Sequence, residues 1–190
     1  MEENLNKTIN KKKLIIIISI IIILLGICTF AIFYLNKKVP ETSRTYLIDN
    51  NFNLSIKNTY NLTEYKNSNN YIFELHSKDN LNIYIDKLEN LDNFSLLQIA
   101  KADKDYYYSN FESPSNLSDI TETLINNFPA TNYSFNYLNN ETNKIHYLQI
   151  YFIKLNNNIY TINIEFPISE KETFSPIVSD IISTISIDFK

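Results

Sequence analysis

A chain of 190 residues with 44% hydrophobic and 20% charged side chains has material for one globular core, since domains usually run to about 100 to 200 residues. From Glu41 onward 11 Lys and Arg stand against 19 Asp and Glu, a net charge of −8, which disfavours nucleic acid and anionic lipid headgroups as partners. The single glycine is Gly26, so everything after it lacks the residue that Walker loops, dinucleotide fingerprints and Gly-x-Ser-x-Gly elbows use for close backbone approach.

Leu14 to Leu35 carries no charge and, at about 1.5 Å rise per residue, reaches about 33 Å, enough to cross a hydrocarbon core of about 30 Å. Ile15 to Ile18 and Ile20 to Leu25 leave no polar face for water, so residues 14–35 read as a transmembrane helix and not as a buried soluble one. Lys7, Lys11, Lys12 and Lys13 precede it, while Lys37, Lys38 and Arg44 follow. With a tail at residues 1–13 too short to fold, the expectation is N-terminus cytoplasmic and the acidic remainder outside, in a single-pass cell-membrane protein. The apolar run continues through Phe30, Phe33 and Leu35, too far for a cleaved signal peptide, which makes the segment a signal-anchor. Ile27 stands before Cys28 where a lipobox needs a small residue. Because Cys28 is the only cysteine, the outer domain folds without a disulfide.

Residues 36–45 are polar, contain Pro40 and read as a juxtamembrane linker, leaving 46–190 as the extracytoplasmic domain. Alternation at Phe52, Leu54, Ile56, then Tyr71, Phe73, Leu75, then Leu81, Ile83, Ile85 predicts three antiparallel strands separated by Asn-rich turns. Ser95 with Gln98 forms a capping box, and Leu96, Leu97, Ile99, Ala100 and Tyr107 favour one side of a helix ending near Tyr108. Strands resume at Ile120 to Leu124, Tyr133 to Tyr137, Ile145 to Lys154 and Tyr160 to Phe166, with a hairpin at Leu138-Asn139-Asn140. Ile145 to Lys154 is apolar on both faces and therefore central, with helices covering it from both sides. Phe174, Ile177, Val178, Ile181 and Ile182 keep helical spacing. Ser169 with Glu172 offers a second capping box, but a start near Thr173 is preferred because it puts Pro176 in the first turn. A short strand at Ile185, Ile187 and Phe189 closes the chain.

The opening Phe52-Asn-Leu-Ser-Ile56, the helix start Ser95-Leu96-Leu97, the stretch from Leu124 through Phe128, Pro129 and Ala130 to Tyr133, and the closing Ile181 to Ile187 resemble the PsbP-like superfamily. That superfamily is named for an extrinsic photosystem protein and shared with Ran-binding Mog-type proteins and small bacterial envelope domains. The resemblance spans about residues 46 to 189, although Phe128 occupies a place often held by glycine and Ile185 one often held by phenylalanine. It implies an α+β fold, an antiparallel sheet covered by helices in an α/β/α sandwich, and a non-enzymatic role in docking or scaffolding.

His76 and His146 are the only histidines, each in a predicted strand among apolar neighbours, and read as surface or hydrogen-bonded strand residues. No Cys/His cluster makes a zinc site. Asp79, Asp86, Glu89, Asp92, Asp103 and Asp105 lack the spacing of a calcium loop and read as a solvated acidic face. No catalytic residue, cofactor or metal site is expected. The one feature singled out is Tyr106-Tyr107-Tyr108, because consecutive helical residues point about 100° apart and cannot all be buried. These three are the candidate contacts for a protein partner in the envelope. A hydrolase or small-ligand-binding protein with a site assembled only in the fold is the alternative.

Overall fold

The computed structural model describes residues 41–49, 52–65, 71–90, 92–111 and 114–187. The expected tail, the 14–35 span and Phe189 lie outside them, and among the described residues no helix is long and apolar enough to cross a membrane.

Strands β1 (Ser43–Asp49) and β2 (Phe52–Lys57) pair antiparallel. Short β3 (Thr63–Glu64) leads to β4 (Phe73–His76) and β5 (Asn82–Glu89). Helix α1 (Leu96–Asn110) follows, then β6 (Thr121–Ile125), β7 (Phe128–Asn139), β8 (Lys144–Leu155) and β9 (Asn158–Pro167). Helix α2 (Lys171–Ser183) and β10 (Ser186–Ile187) close the fold. The larger sheet has the order β3-β4-β5-β9-β8-β7-β6, and the smaller one β1-β2-β10. All pairings are antiparallel.

The three strands expected early in the chain therefore separate: β4 and β5 join the large sheet, whereas β2 belongs to the small one with β10. Ser43, Arg44 and Thr45, read from sequence as linker, already pair with Lys57, Ile56 and Ser55. As expected, β8 is interior, and with β9 it is apolar on both faces. One face of the large sheet presents Ile83, Ile85, Ile153, Tyr160, Ile162, Ile164 and Phe166 to the small sheet and to Phe174, Val178 and Ile181 of α2. The other presents Tyr133, Phe135, Tyr137, Leu148, Ile150 and Phe152 to Leu96, Ile99, Ala100 and Tyr107 of α1. The layers are thus helix, sheet, and then a small sheet beside a helix. Helices lie on both faces of the large sheet, as expected, and the small sheet adds cover because one 13-residue helix at about 1.5 Å per residue is too short for the width of seven strands.

The α1 capping box is present: Ser95 Oγ accepts from the Gln98 amide at 3.2 Å, while Gln98 Oε1 accepts from the Ser95 amide at 2.9 Å. For α2 the expectation fails. It begins at Lys171 after a 3₁₀ turn over Ile168–Glu170, has no side-chain cap, and holds Pro176 inside. Phe174 packs on Phe166, ring centroids 5.5 Å apart, which holds the turn before Thr173 helical. The proline then costs the bond its amide would give the Glu172 carbonyl.

Turns in this domain are made without glycine. Every non-glycine residue at positive φ among those described is an asparagine: Asn61, Asn80, Asn93, Asn116, Asn126, Asn127, Asn143 and Asn156. Asparagine tolerates the left-handed region better than other L-residues because its short side chain bonds locally. In the two-residue β6–β7 hairpin both central positions are left-handed, Asn126 at φ 47 and Asn127 at φ 70, the arrangement that matches strand twist. Asn126 Nδ2 also donates to the Ser183 carbonyl at 3.1 Å, tying this hairpin to the end of α2.

Helix α1 is joined to the sheet by a partly buried polar contact, the Tyr133 hydroxyl donating to Asp103 Oδ2 at 2.7 Å. Asp103 is thus an exception to the expected solvated acidic face; Asp79, Asp86, Glu89, Asp92 and Asp105 are exposed. Burial holds the Asp103 carboxyl above its ordinary value of 3.8, with the Tyr133 hydrogen bond opposing the shift.

Two predictions follow from these contacts. Asn127→Gly is expected to raise the unfolding free energy of a 42–190 chain by about 0.5 to 1 kcal/mol and Asn127→Ala to lower it, since only glycine is indifferent to positive φ; urea melts of the two variants check both signs. A carboxyl whose pKa is higher folded than unfolded binds its proton more tightly in the native state, so its contribution to stability falls as pH rises through the two values. Asp103→Asn is accordingly expected to raise the melting temperature at pH 7, and the gain should vanish as pH drops below the ordinary 3.8. A gain that grows on acidification would contradict this.

Candidate docking surface and buried polar cluster

The tyrosine triple divides as its helical phase requires. Tyr107 turns into the core, its ring 5.5 Å from Phe135 and 4.9 Å from Phe111, and burial pushes its phenol far above the ordinary range. Tyr106 and Tyr108 are each 62% exposed. Of the three candidate contacts, Tyr106 and Tyr108 present aromatic surface at the end of α1, whereas Tyr107 is partly buried against the core.

Three polar residues on adjacent strands meet under the same face. On β9, Glu165 Oε1 accepts from the Tyr137 hydroxyl of β7 at 2.6 Å, from His146 Nδ1 of β8 at 2.5 Å and from Asn139 Nδ2 at 3.1 Å. With Nδ1–H given to the carboxylate, His146 Nε2 accepts from the Thr142 hydroxyl at 3.0 Å, so one neutral tautomer satisfies both ring nitrogens. His146 is 1% exposed. Burial, reinforced by the adjacent Glu165 carboxylate, drives the Tyr137 phenol well above its usual range. A carboxylate with three donors is well compensated, and this cluster clamps the three longest strands together. An open cavity of about 390 Å³, lined by Phe111, Tyr137, Asn139 and Glu141 among others, lies beside it.

The second histidine is half-buried farther along the sheet, with Nδ1 at 2.9 Å from Asn82 Oδ1 and Nε2 at 3.1 Å from Glu74 Oε2. Both histidines are hydrogen-bonded strand residues, as the sequence reading expected. Their carboxylate partners were missed, although a signal existed: the Asn156-Asn157 turn sets His146 opposite Pro167 and Leu148 opposite Glu165, making His146 and Glu165 diagonal neighbours. Among the described residues no cluster of three or more metal-ligating side chains comes together.

A concave surface of about 590 Å³ lies between the first turn of α1 and the β6–β7 hairpin and is mostly apolar, with Leu96, Leu97, Leu124, Pro129 and Ala130 in its walls. It arises because β6 ends the sheet while α1 packs over β7 and β8, so the helix overhangs a strand that nothing covers among the described residues. Leu124 is 66% exposed here; the predicted strand forms, but Ile125 and not Leu124 faces the core. Sequence reasoning had no access to this groove, since its walls come from segments that alternate correctly on their own.

No protein-family model and no curated protein matches the chain. Among solved structures it is similar to LpqN, involved in cell envelope biogenesis of Mycobacterium tuberculosis, at 12% identity and a TM-score of 0.58 over 80% of this chain and 88% of that one. It is likewise similar to cyanobacterial PsbP (CyanoP) of Synechocystis sp. PCC 6803, at 8% identity and 0.56 over 80% and 96%. A third is PA94 of Pseudomonas aeruginosa, a protein of unknown function described as a putative regulator, at 9% identity and 0.53 over 78% and 99%. The described domain is an α+β unit of PsbP-like fold, built on an antiparallel sheet and two helices.

Proposed function

We propose that the chain is a single-pass, membrane-anchored docking module of the cell envelope, its folded domain outside and its N-terminus in the cytoplasm. The observation that carries this reading is the open apolar groove of about 590 Å³ under α1, on a domain whose acid–histidine pair, Glu165 and His146, is buried. Exposed apolar surface in a rigid concavity is what a protein partner anchors on, and Tyr106 and Tyr108 add aromatic area on the same helix. The uncharged run from Leu14 to Leu35 with Lys11, Lys12 and Lys13 before it supports the anchor and its orientation. Tethering raises the local concentration of the domain at the membrane, which suits a modest interface. The likeness to LpqN, a protein of envelope biogenesis, agrees with an envelope role.

A second reading, a small-ligand-binding or hydrolytic protein, draws on one observation, the cavity of about 390 Å³ beside Tyr137 and Asn139. The two readings part in experiment. A photo-crosslinking residue at position 97 or 108 of the full-length chain in its own membrane should yield a discrete protein adduct. Tyr106→Ala with Tyr108→Ala should weaken capture by about 1 kcal/mol or more per buried ring. His146→Gln with Tyr137→Phe, provided that the variant remains folded, should leave capture intact. Loss of function in the histidine variant with silent tyrosines would transfer the proposal to the ligand reading. Topology is checked separately: protease added to spheroplasts should degrade the domain, and full protection would contradict the orientation.

A further inference from the structure

The geometry points to strand addition as the way this surface takes its partner: an extended, neutral-to-basic segment of another protein pairs with the edge of β6 and sends alternate side chains into grooves on either side. This rests on the docking reading above and names its occupant.

Ile125 pairs with Phe128, Thr123 with Ala130 and Thr121 with Asn132 across a two-residue turn, so these pairs exchange ladder hydrogen bonds with β7. Leu124 and Glu122 occupy the intervening positions, opposite Pro129 and Thr131. A proline at 129 has no amide to give, which agrees with a non-hydrogen-bonded pair. The backbone N–H and C=O groups of Glu122 and Leu124 consequently point away from β7. As β6 ends the sheet, they form an edge that no strand pairs with among the described residues, of the kind that an extended peptide completes.

Both sides of that edge are concave. On the α1 face lies the apolar groove of about 590 Å³, with the Leu124 side chain in its wall. On the α2 face a second groove of about 400 Å³ is lined by Thr123, Asn132, Gln149, Ser175 and Ser179 together with apolar groups. The two grooves share Thr123 and Leu124, so they flank one strand. Successive side chains of a strand point to opposite faces, and an added strand would therefore place apolar side chains on the α1 side and small polar ones on the α2 side. Thr131, a residue 2% exposed, lines the first groove on the same face, and its hydroxyl has no hydrogen-bond partner among the described residues.

Charge selects among occupants. Glu122 lines the first groove, and among the described residues neither groove has a basic one. A second copy would bring another Glu122 and another domain of net charge −8 to the same edge. A neutral or basic segment meets no such repulsion.

The test uses the full-length chain in nanodiscs and a short synthetic peptide that alternates leucine with serine and ends in lysines. Binding should slow amide exchange at Glu122 and Leu124. Glu122→Pro removes one outward amide without taking a ladder bond from β7 and should weaken binding by about tenfold or more, while Glu122→Gln keeps the amide and should bind within a few-fold of the parent. Leu124→Ser, which keeps the backbone, should weaken binding through the lost apolar wall. An acidic peptide of the same pattern should bind more weakly than the lysine peptide. Equal binding by parent and Glu122→Pro, or protection elsewhere with none at β6, would overturn strand addition; if membrane adducts at position 108 persisted, docking itself would stand. Sedimentation showing a dimer that Glu122→Pro dissociates would overturn the choice of partner in favour of a second copy.

Discussion

The pairing of β8 with β9 is the interaction from which the rest of the domain follows. The ten-residue β9 and the twelve-residue β8 both carry large apolar side chains on each face, so neither face can be left to water, and each must bury area worth about 25 cal/mol per Å². Two helices alone are insufficient cover. The β1-β2-β10 sheet supplies the missing part, held over β9 by Asp49, which accepts from the Tyr160 hydroxyl and from Lys87 Nζ, each at 2.6 Å. On the opposite side α1 covers β7 and β8 and is exhausted before the sheet is. Where cover runs out toward β4 and β5 the face turns polar, with Glu74, His76, Asn82 and Tyr84. Where it runs out at β6 the face stays apolar and becomes a groove.

A second constraint is compositional. A domain without glycine must place L-residues wherever the backbone needs positive φ, and here asparagine takes each such position among the described residues. The choice accords with a composition rich in Asn, Ile, Lys and Tyr, the residues of AT-rich codons, and it works because the asparagine side chain substitutes a local hydrogen bond for conformational freedom. The β6–β7 turn uses two asparagines in succession, and one of them also anchors the end of α2. The turn chemistry thereby fixes the register that aims Glu122 and Leu124 outward.

Much of this was legible in the sequence wherever the cause is local. Ser95 and Gln98 announce α1 because a capping box needs only a three-residue interval, and β7 to β9 announce themselves by alternation. Tyr107 was separable from Tyr106 and Tyr108 in principle by helical phase. What escaped has non-local causes. Ser43 to Thr45 look like linker because their strand is imposed by β2 and not by an apolar pattern. The transfer of β2 to a second sheet depends on Ile187 pairing with Phe52, far apart along the chain. The early start of α2 depends on Phe174 meeting Phe166. The groove required knowing that Leu97 and Leu124 line the same concavity.

In the proposed reading, function lies at the β6 edge of the sheet, which nothing covers among the described residues, and not in the polar cluster beneath it. The direct measurement is residue-resolved amide exchange on the full-length chain in its native membrane, compared with the purified chain in nanodiscs. The account predicts that Glu122 and Leu124 are selectively protected in the native membrane while amides around His146 exchange equally in both. Protection confined to the cavity beside Phe111, Tyr137 and Glu141, with unchanged exchange along β6, would contradict it.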